Sequence, residues 1–233
     1  MVRTLSLTNP GTRLSMENPW LDLPISAPFV LQSDRKAILR FNESVDEIYK
    51  IHLELLPEPF LGSASANVVL LNLNPGYNTR DNRFHENDHY FIGTLRNNLC
   101  HAQQDYPFYV LDPKNAGSSG HGWWYRRLRR LIERYGSGKI ANEVLCVEFF
   151  PYHSTRYKRL GHTLPSQEYS FRLVREAITR NAIIVVIRAE RRWLEHVPEL
   201  NRYAFFTVIN KQNPAISERN LPEGFKQIIR RLG

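Results

Sequence analysis

The sequence predicts an α/β protein, a three-layer α/β/α sandwich around a central, mainly parallel sheet of four strands. Four short apolar runs are typical of buried strands, at Asn67–Leu73, Glu143–Phe149, Ala182–Ile187 and Tyr203–Ile209. Amphipathic helical patterns lie between these runs and after the last one, at Trp123–Tyr135, Ser166–Arg180 and Gly224–Leu232. Strands that alternate with helices predict a parallel sheet covered on both faces.

The first part of the chain differs in character. Residues 1–60 are predicted to be an extension that packs on the main α/β domain, which spans residues 61–233. The first forty residues are rich in proline and show little periodicity. One helix is expected over about Ser44 to Leu56, because Ser44 can cap a helix, apolar residues follow at near-helical spacing, and two prolines come directly afterwards.

Composition limits the classes of partner. The chain carries 31 Lys and Arg against 23 Asp and Glu, a formal net charge of +8, and its isoelectric point is about 9.6. This excess favours nucleic acid as a partner, although a merely solvated basic surface is an equally common explanation. No secretory apolar region or membrane-length apolar run is present, so a cytoplasmic monomer that does not enter membranes is expected. Cys100 and Cys146 are too few for a disulfide framework.

The unusual residues follow the predicted strands. Ligands of open parallel sheets bind beyond the carboxyl ends of the strands, so the segments directly after each strand are the candidates for a site. The first strand runs into Asn72-Leu73-Asn74-Pro75-Gly76, and the last runs into Asn213-Pro214-Ala215-Ile216-Ser217. Each segment alone is an ordinary turn sequence. Their occurrence together at one predicted sheet edge is the informative observation.

The two segments together resemble the uracil-DNA glycosylase superfamily, mainly its mismatch-specific and single-strand-selective branches. Mismatch-specific members carry Gly-Ile-Asn-Pro-Gly and Asn-Pro-Ser-Gly-Leu-Ser motifs. Here Asn72 stands for the first Gly, Ala215 stands for the Ser, and the second motif is one residue shorter. The resemblance runs in order and spacing from Asn67 to the C-terminus. It implies a monofunctional DNA glycosylase that hydrolyses the N-glycosidic bond of a flipped pyrimidine without metal or cofactor.

The resemblance implies a role for each motif residue. Asn74 would orient the attacking water, and Asn213 would donate a hydrogen bond to O2 of the departing base. The remaining motif residues would contact DNA, and these are Pro75, Pro214, Ser217, Arg219 and Leu221. Leu221 has two interpretations, because it suits a loop that fills the gap left by a flipped base and equally suits a core anchor for the last helix.

Glu148 ends the middle strand, where single-strand-selective relatives place the residue that reads the base. A carboxylate accepts hydrogen bonds and so favours a base with an amino group, and we expect its surroundings to raise its pKa. The alternative is a surface or salt-bridged glutamate at a strand end. On this interpretation, Glu148→Gln lowers excision of modified cytosine and weakens discrimination against uracil. Gly76 stands where uracil-specific relatives carry Tyr, which leaves room at C5 of a pyrimidine.

Three functions remain open. The enzyme excises a C5-modified cytosine from viral DNA as an antiviral defence, or it repairs uracil or mismatched thymine, or the protein is a catalytically silent DNA-binding reader. Aromatic candidates for stacking on the base are Phe84, Tyr90 and Phe91, and candidates for phosphate contacts include Arg156 and Arg191. His85 and His89 have metal-ligand spacing but lack an apolar helical face, so no metal is expected.

Overall fold

The structure is a computed structural model that describes residues 17–233. Within that range the chain forms eight α-helices and five strands. The helices are α1 (Gln32–Glu43), α2 (Asn82–Asn87), α3 (His89–Leu99), α4 (Ser119–Tyr135), α5 (Ser137–Glu143), α6 (Gln167–Thr179), α7 (Glu190–His196) and α8 (Pro222–Leu232). The strands are β1 (Phe60–Leu61), β2 (Val68–Asn72), β3 (Val144–Glu148), β4 (Ile183–Val186) and β5 (Phe205–Thr207).

One sheet contains all five strands, in the order β1-β3-β2-β4-β5. The pairs among β2, β3, β4 and β5 are parallel, and β1 is antiparallel to β3. The prediction of four strands was therefore one short. The additional strand has only two residues and follows Pro59, so it offers no apolar run that a sequence pattern can detect.

The central strands explain the layered architecture. Every residue of β2, β3 and β4 is buried, which a sheet covered on one face only does not permit. Helices must therefore pack on both faces, and the α/β class with three layers is confirmed. The register pairs Asn72 with Glu148, so the last residues of β2 and β3 lie side by side at the carboxyl edge of the sheet.

The predicted helices at Trp123–Tyr135, Ser166–Arg180 and Gly224–Leu232 correspond to α4, α6 and α8. Each observed helix begins or ends within a few residues of its prediction, and α4 gains a turn because Ser118 accepts a hydrogen bond from the backbone N–H of His121. Helices α2 and α3 were not predicted from the sequence.

The helix predicted over Ser44–Leu56 is wrong. Ser44 follows the last residue of α1, and the segment after it forms only a short 3-10 turn at Glu47–Tyr49. The side chain of Asn42 both donates to and accepts from the backbone of Ile51, at 2.8 and 2.9 Å. These bonds pair the backbone N–H and C=O of Ile51 outside a helix. Side-chain bonds of this kind compete with helical hydrogen bonds, so the segment is not helical.

Between residues 17 and 60 the structure contains one α-helix, α1. Trp20 and Ile38 from this part belong to the same apolar core as the central strands. The division of the chain at residue 60 stays a prediction. None of the described helices has the length and apolar character needed to cross a membrane.

Candidate active site

A cavity of about 730 Å³ opens at the carboxyl edge of the sheet. The ends of β2 and β3 form its deep part, and the loop Asn74–Asn78, the segment His153–Tyr157 and the first half of α4 form its walls. This is the edge at which ligands of open parallel sheets bind. Of the predicted site residues, the cavity brings together Asn74, Pro75, Gly76, Phe91, Glu148 and Arg156.

Asn72 and Glu148 form a hydrogen-bonded pair in the deep part of the cavity. Asn72 Nδ2 donates to Glu148 Oε1 at 2.9 Å, and the two residues are only 6% and 2% exposed. Neither Asn72 Oδ1 nor Glu148 Oε2 has a hydrogen-bond partner within residues 17–233. Buried polar atoms are seldom left unpaired in native proteins, so these two atoms mark a place where a ligand can bind.

Burial changes the acid–base behaviour of Glu148. It raises the pKa of Glu148 to about 8, and the hydrogen bond from Asn72 offsets this rise only in part. Repulsion from the Glu58 carboxyl adds to the rise. The Cys146 thiol donates to the same Oε1 atom at 3.6 Å, and burial raises its own pKa well above the usual range. At pH 7 Glu148 is therefore mainly a neutral acid, as the sequence led us to expect.

Asn74 lies two residues beyond β2, with its amide group fixed on one side. Its Nδ2 donates to Ser154 Oγ at 3.1 Å and to the carbonyl of Pro75 at 2.8 Å. Ser154 is buried and lies in the segment after β3, and its backbone forms an isolated β-bridge with that of Gly76. Both amide hydrogens are therefore engaged, and Asn74 Oδ1 remains as an acceptor for a molecule in the cavity.

His153 joins the loop that carries Asn74 to the segment before β1. Its Nδ1 lies 2.7 Å from the carbonyl oxygen of Gly76, and its Nε2 lies 3.0 Å from the carbonyl oxygen of Leu56. Carbonyl oxygens only accept hydrogen bonds, so both bonds form when each ring nitrogen of His153 carries a proton. The buried ring of His153 thus links two backbone segments at the cavity wall.

Glu58 and His85 complete the surroundings of His153. Burial raises the pKa of Glu58, while the positive charge of His153 and a hydrogen bond from Tyr109 oppose the rise. Burial, together with the charge of His153, lowers the pKa of His85 well below its usual value. His85 Nδ1 accepts from the backbone N–H of Leu56 at 3.1 Å. His85 is therefore a neutral ring beside the Glu58–His153 pair.

The same three side chains have the composition of a metal site. One ligand atom from each of Glu58, His85 and His153 lies within 4.8 Å of the others. Both nitrogens of His153 already face carbonyl oxygens, however, and the accepting nitrogen of His85 is occupied by Leu56. A metal ion would have to displace one of these bonds, so we interpret the cluster as a hydrogen-bonded support of the loop.

Four arginines surround the cavity, namely Arg80, Arg126, Arg156 and Arg188. Within the part of the chain that the structure describes, none of them forms an ion pair with a carboxylate. Unpaired cations around a cleft create a positive potential that attracts anions. The rim of the cavity is therefore positively charged, and it includes Arg156, which the sequence predicts to contact phosphate.

The aromatic and glycine predictions have mixed outcomes. Phe91 lines the cavity. Phe84 is buried and packs against Phe91, with 5.4 Å between the centroids of the two rings. Tyr90 is 43% exposed and donates to Asp112, outside the cavity. Phe84 and Tyr90 do not line the cavity, so the prediction that they stack on the base is corrected. Gly76 borders the cavity, and a Cβ atom added there would meet no atom within 4 Å, so the space directly beside it is open.

The second motif lies on the same edge of the sheet but outside the cavity. Its loop follows β5, which is separated from β2 by one strand, and the backbone N–H of Ile216 donates to Arg127 on α4. The side chains of Asn210 and Asn220 fold the loop on itself. Asn213 is exposed and does not line the cavity. In this arrangement, its predicted contact with the base is not formed.

The other residues predicted to contact DNA also lie outside the cavity, apart from Pro75 and Arg156. Leu221 is 2% exposed and packs beside Gly224 at the start of α8, which is the core alternative rather than an inserted side chain. Pro214 is buried. Ser217 and Arg219 line a separate shallow depression, and Arg191 pairs with Glu195 at 3.1 Å on α7. None of these residues lines the cavity.

The sequence did not identify several side chains of the site. His153 and Ser154 fall in a segment that follows a predicted strand, so the sheet-edge rule could have indicated them. Arg188 directly follows the predicted strand Ala182–Ile187, so the same rule could have indicated it. Glu58 carries no local signal, because the fold alone brings it to the cavity. His85 was considered only as a partner of His89, which is exposed and lies outside the cluster.

Comparisons of the chain with protein-family models, with curated proteins and with solved structures give no match.

Proposed function

We propose that the protein is a DNA glycosylase that hydrolyses the N-glycosidic bond of a flipped pyrimidine. One observation carries the proposal: a single cavity combines Asn74, which has a free acceptor atom, with the unpaired buried atoms of Asn72 and Glu148, under a rim of four unpaired arginines. These groups match a water, a base edge and a phosphate backbone in one place. The proposed partner is DNA, bound in the cytoplasm by one copy of the chain.

Asn74 would act on the water. With Nδ2 held by Ser154 and Pro75, Oδ1 accepts a hydrogen bond from a water molecule and directs a lone pair of that water toward C1′ of the sugar. The water oxygen bonds to C1′ while the bond from C1′ to the base breaks. The base leaves with the bonding electrons, and the proton lost by water passes to solvent. The products are an abasic sugar and a free base.

The surface suits a nucleotide that has left the base stack. A base inside a duplex is shielded by its neighbours, so a glycosylase must rotate the nucleotide into a cavity. The exposed side chains of Arg80, Arg126 and Arg156 lie where the phosphates on either side of such a nucleotide would pass. Phosphate contacts of this kind give affinity without sequence preference.

The open space at Gly76 supports a substituted pyrimidine. No atom lies within 4 Å of a Cβ atom built on Gly76, and we expect this open space to accommodate a group attached at C5 of the base. A C5-modified cytosine of viral DNA is therefore the substrate we put first, which makes the protein an antiviral defence enzyme. Uracil or mismatched thymine, the substrates of repair glycosylases, are the alternative within the same proposal.

A catalytically silent DNA-binding reader is the second candidate, and the position of Asn213 favours it. Because Asn213 is exposed and lies outside the cavity, the group expected to stabilise the departing base is missing from the site. A protein that flips and holds a base without cutting it needs the cavity and the arginines but not Asn213.

The test uses oligonucleotides with one uracil, one mismatched thymine, one cytosine or one C5-modified cytosine, as single strands and as duplexes. Incubation with EDTA present, followed by alkaline cleavage at abasic sites, measures excision, and fluorescence anisotropy measures binding. We expect cleavage at the labelled base with the wild-type protein.

Asn74→Ala should reduce single-turnover excision by on the order of a hundredfold or more and leave DNA affinity nearly unchanged, because a contact to the attacking water acts mainly in the transition state. Asn201→Ala is the matched control, because Asn201 is an exposed asparagine in the 3-10 turn Pro198–Arg202 and does not line the cavity. Binding without any excision would support the silent reader, and absence of both would refute the proposal.

A further inference from the structure

Two buried acceptor-type atoms at the closed end of the cavity have no partner. Asn72 Oδ1 and Glu148 Oε2 belong to neighbouring residues of β2 and β3 that are paired in register. Their other polar atoms bond to each other, so the pair behaves as one unit with two free positions. Leaving such atoms unpaired is costly, which makes a bound ligand with complementary hydrogen-bonding groups the natural explanation.

The hydrogen bonds on Glu148 show which oxygen holds the proton of the neutral acid. Oε1 receives hydrogen bonds from Asn72 Nδ2 and from the Cys146 thiol, whereas Oε2 receives none. An oxygen that already accepts two hydrogen bonds is the poorer place for a proton. The proton therefore sits on Oε2, which makes Oε2 a donor. The same bond turns the Asn72 amide so that its oxygen is the free atom.

The closed end thus presents one donor beside one acceptor. We propose that Asn72 and Glu148 together read the edge of a cytosine-type base: Asn72 Oδ1 accepts from the exocyclic N4 amino group, and Glu148 Oε2–H donates to the ring nitrogen N3. This inference rests on the proposed function, because the flipped base supplies the ligand. It deepens that function by naming the class of base and by giving Asn72 a role in reading it.

Uracil has the opposite pattern along the same edge. Its N3 carries a hydrogen and its O4 is an acceptor, so N3–H would face Oε2–H and O4 would face Asn72 Oδ1. Both contacts would oppose like groups, and each buried mismatch costs roughly a factor of ten or more in affinity. Substituents at C5 lie outside this edge, so the unit would accept both plain and C5-modified cytosine.

The charged and titratable groups around Glu148 are the Cys146 thiol, the Glu58 carboxyl and the Arg188 guanidinium. Glu58 disfavours ionisation of Glu148, and Arg188 favours it more weakly than burial opposes it. Because the pKa of Glu148 is about 8, the donor at Oε2 is present at pH 6.5 and is lost progressively toward pH 9. Cytosine preference should therefore fall over that range.

The probe is a single-stranded oligonucleotide with one 2′-fluoro-2′-deoxycytidine or one 2′-fluoro-2′-deoxyuridine at its centre. The fluorine disfavours positive charge at C1′, so binding is measured without excision. At pH 6.5 we expect the wild-type protein to bind the cytidine probe on the order of tenfold or more tightly than the uridine probe. This ratio should shrink toward pH 9.

Glu148→Gln gives the sharpest result. If its amide oxygen takes the place of Oε1, held by Asn72 and Cys146, its NH₂ group takes the place of Oε2 and still donates. The variant should keep its cytosine preference and lose the dependence on pH, which differs from the expectation drawn from the sequence alone. Asn72→Ala, which removes the acceptor for N4, should lose most of the preference.

A matched control pair lies at the opposite end of strands β2 and β3. Asn67 Nδ2 donates to Glu143 Oε2 at 2.7 Å, and neither residue lines the cavity. Asn67→Ala and Glu143→Gln should leave the ratio and its pH dependence unchanged. Urea unfolding of each variant shows whether it is folded, and the pH profile of the wild-type protein tests the proposal without any variant.

Several outcomes would refute the proposal that Asn72 and Glu148 read a cytosine-type base. Equal affinity for the cytidine and uridine probes, or a preference for the uridine probe, would do so. A cytosine preference that grows toward pH 9 and disappears in Glu148→Gln would also do so, since that pattern requires an ionised acceptor. Excision of cytosine and uracil at equal rates would also reject the unit while leaving the glycosylase proposal intact. Selective binding of the cytidine probe without excision would support the unit while rejecting the glycosylase.

Discussion

Glu148 connects the chemistry of the cavity to the stability of the fold. Its pKa is about 8 in the folded protein and near 4.5 when exposed, so between these values the folded state keeps a proton that the unfolded state releases. Its contribution to stability is thus complete below about pH 4.5 and is lost as pH rises through 8. The free energy of unfolding should fall by roughly 1 kcal/mol per pH unit from this group.

Urea unfolding at pH 5, 6.5 and 8 measures this effect. Glu148→Gln cannot titrate, so its free energy of unfolding should depend less steeply on pH than that of the wild-type protein. Some dependence should remain, because burial also raises the pKa of Glu58. Parallel slopes for the two proteins would show that Glu148 is ionised in the folded state.

At the same scale, the sequence predicted part of the site. Asn74 and Glu148 were identified because each follows or ends an apolar strand, and the carboxyl edge of a parallel sheet is where such residues meet. The contacts that define their chemistry were not identifiable, although the position of Ser154 after a predicted strand was. Ser154, which orients Asn74, and Cys146, which fixes the proton on Glu148, act through distances of a few ångströms that no sequence pattern records.

At the scale of elements, apolar runs predicted the four longer strands, and amphipathic periods predicted three helices. The sequence failed where tertiary contacts replace local patterns. The extended segment around Ile51 is fixed by the side chain of Asn42, and β1 exists because it pairs with β3. The loop after β5 has the residues of the second motif but is folded on itself by its own asparagines, which leaves Asn213 outside the cavity.

The loop Asn74–Gly76 depends on the segment after β3, and His153 tests that dependence. His153→Gln can replace at most part of the two carbonyl contacts, so the loop should lose its fixed position. We expect the single-turnover excision rate to fall by on the order of tenfold, while DNA affinity changes less than about twofold. Stability should fall by roughly 1 to 3 kcal/mol.

A second variant separates positioning from general destabilisation. Tyr203→Phe removes a hydrogen bond to the Ala182 carbonyl at the opposite end of the sheet, 2.6 Å in length. It should lower stability without lowering the excision rate. If both variants slow excision in proportion to their loss of stability, His153 has only a structural role.

At the scale of the whole molecule, the net charge of +8 and the four unpaired arginines predict binding that depends strongly on salt. Arg126→Ala and Arg156→Ala should each weaken binding to any DNA sequence and reduce the slope of log affinity against log salt by about one. Arg129, on the same helix as Arg126, already pairs with Glu133 at 2.7 Å. Arg129→Ala is therefore the control, and an equal effect from it would assign the salt dependence to net charge rather than to the rim.

The central claim is that one cavity, containing Asn74, Asn72 and Glu148, releases a base from DNA. The most direct measurement is mass spectrometry of the small molecules liberated when the protein is incubated with a mixture of DNAs that contain plain cytosine, C5-modified cytosine, uracil and thymine. We predict a free cytosine-type base, an intact strand with an abasic site, and release by Asn74→Ala that is lower by on the order of a hundredfold or more. Release of no base from any of these DNAs, or release of a nucleotide in place of a base, would contradict the claim.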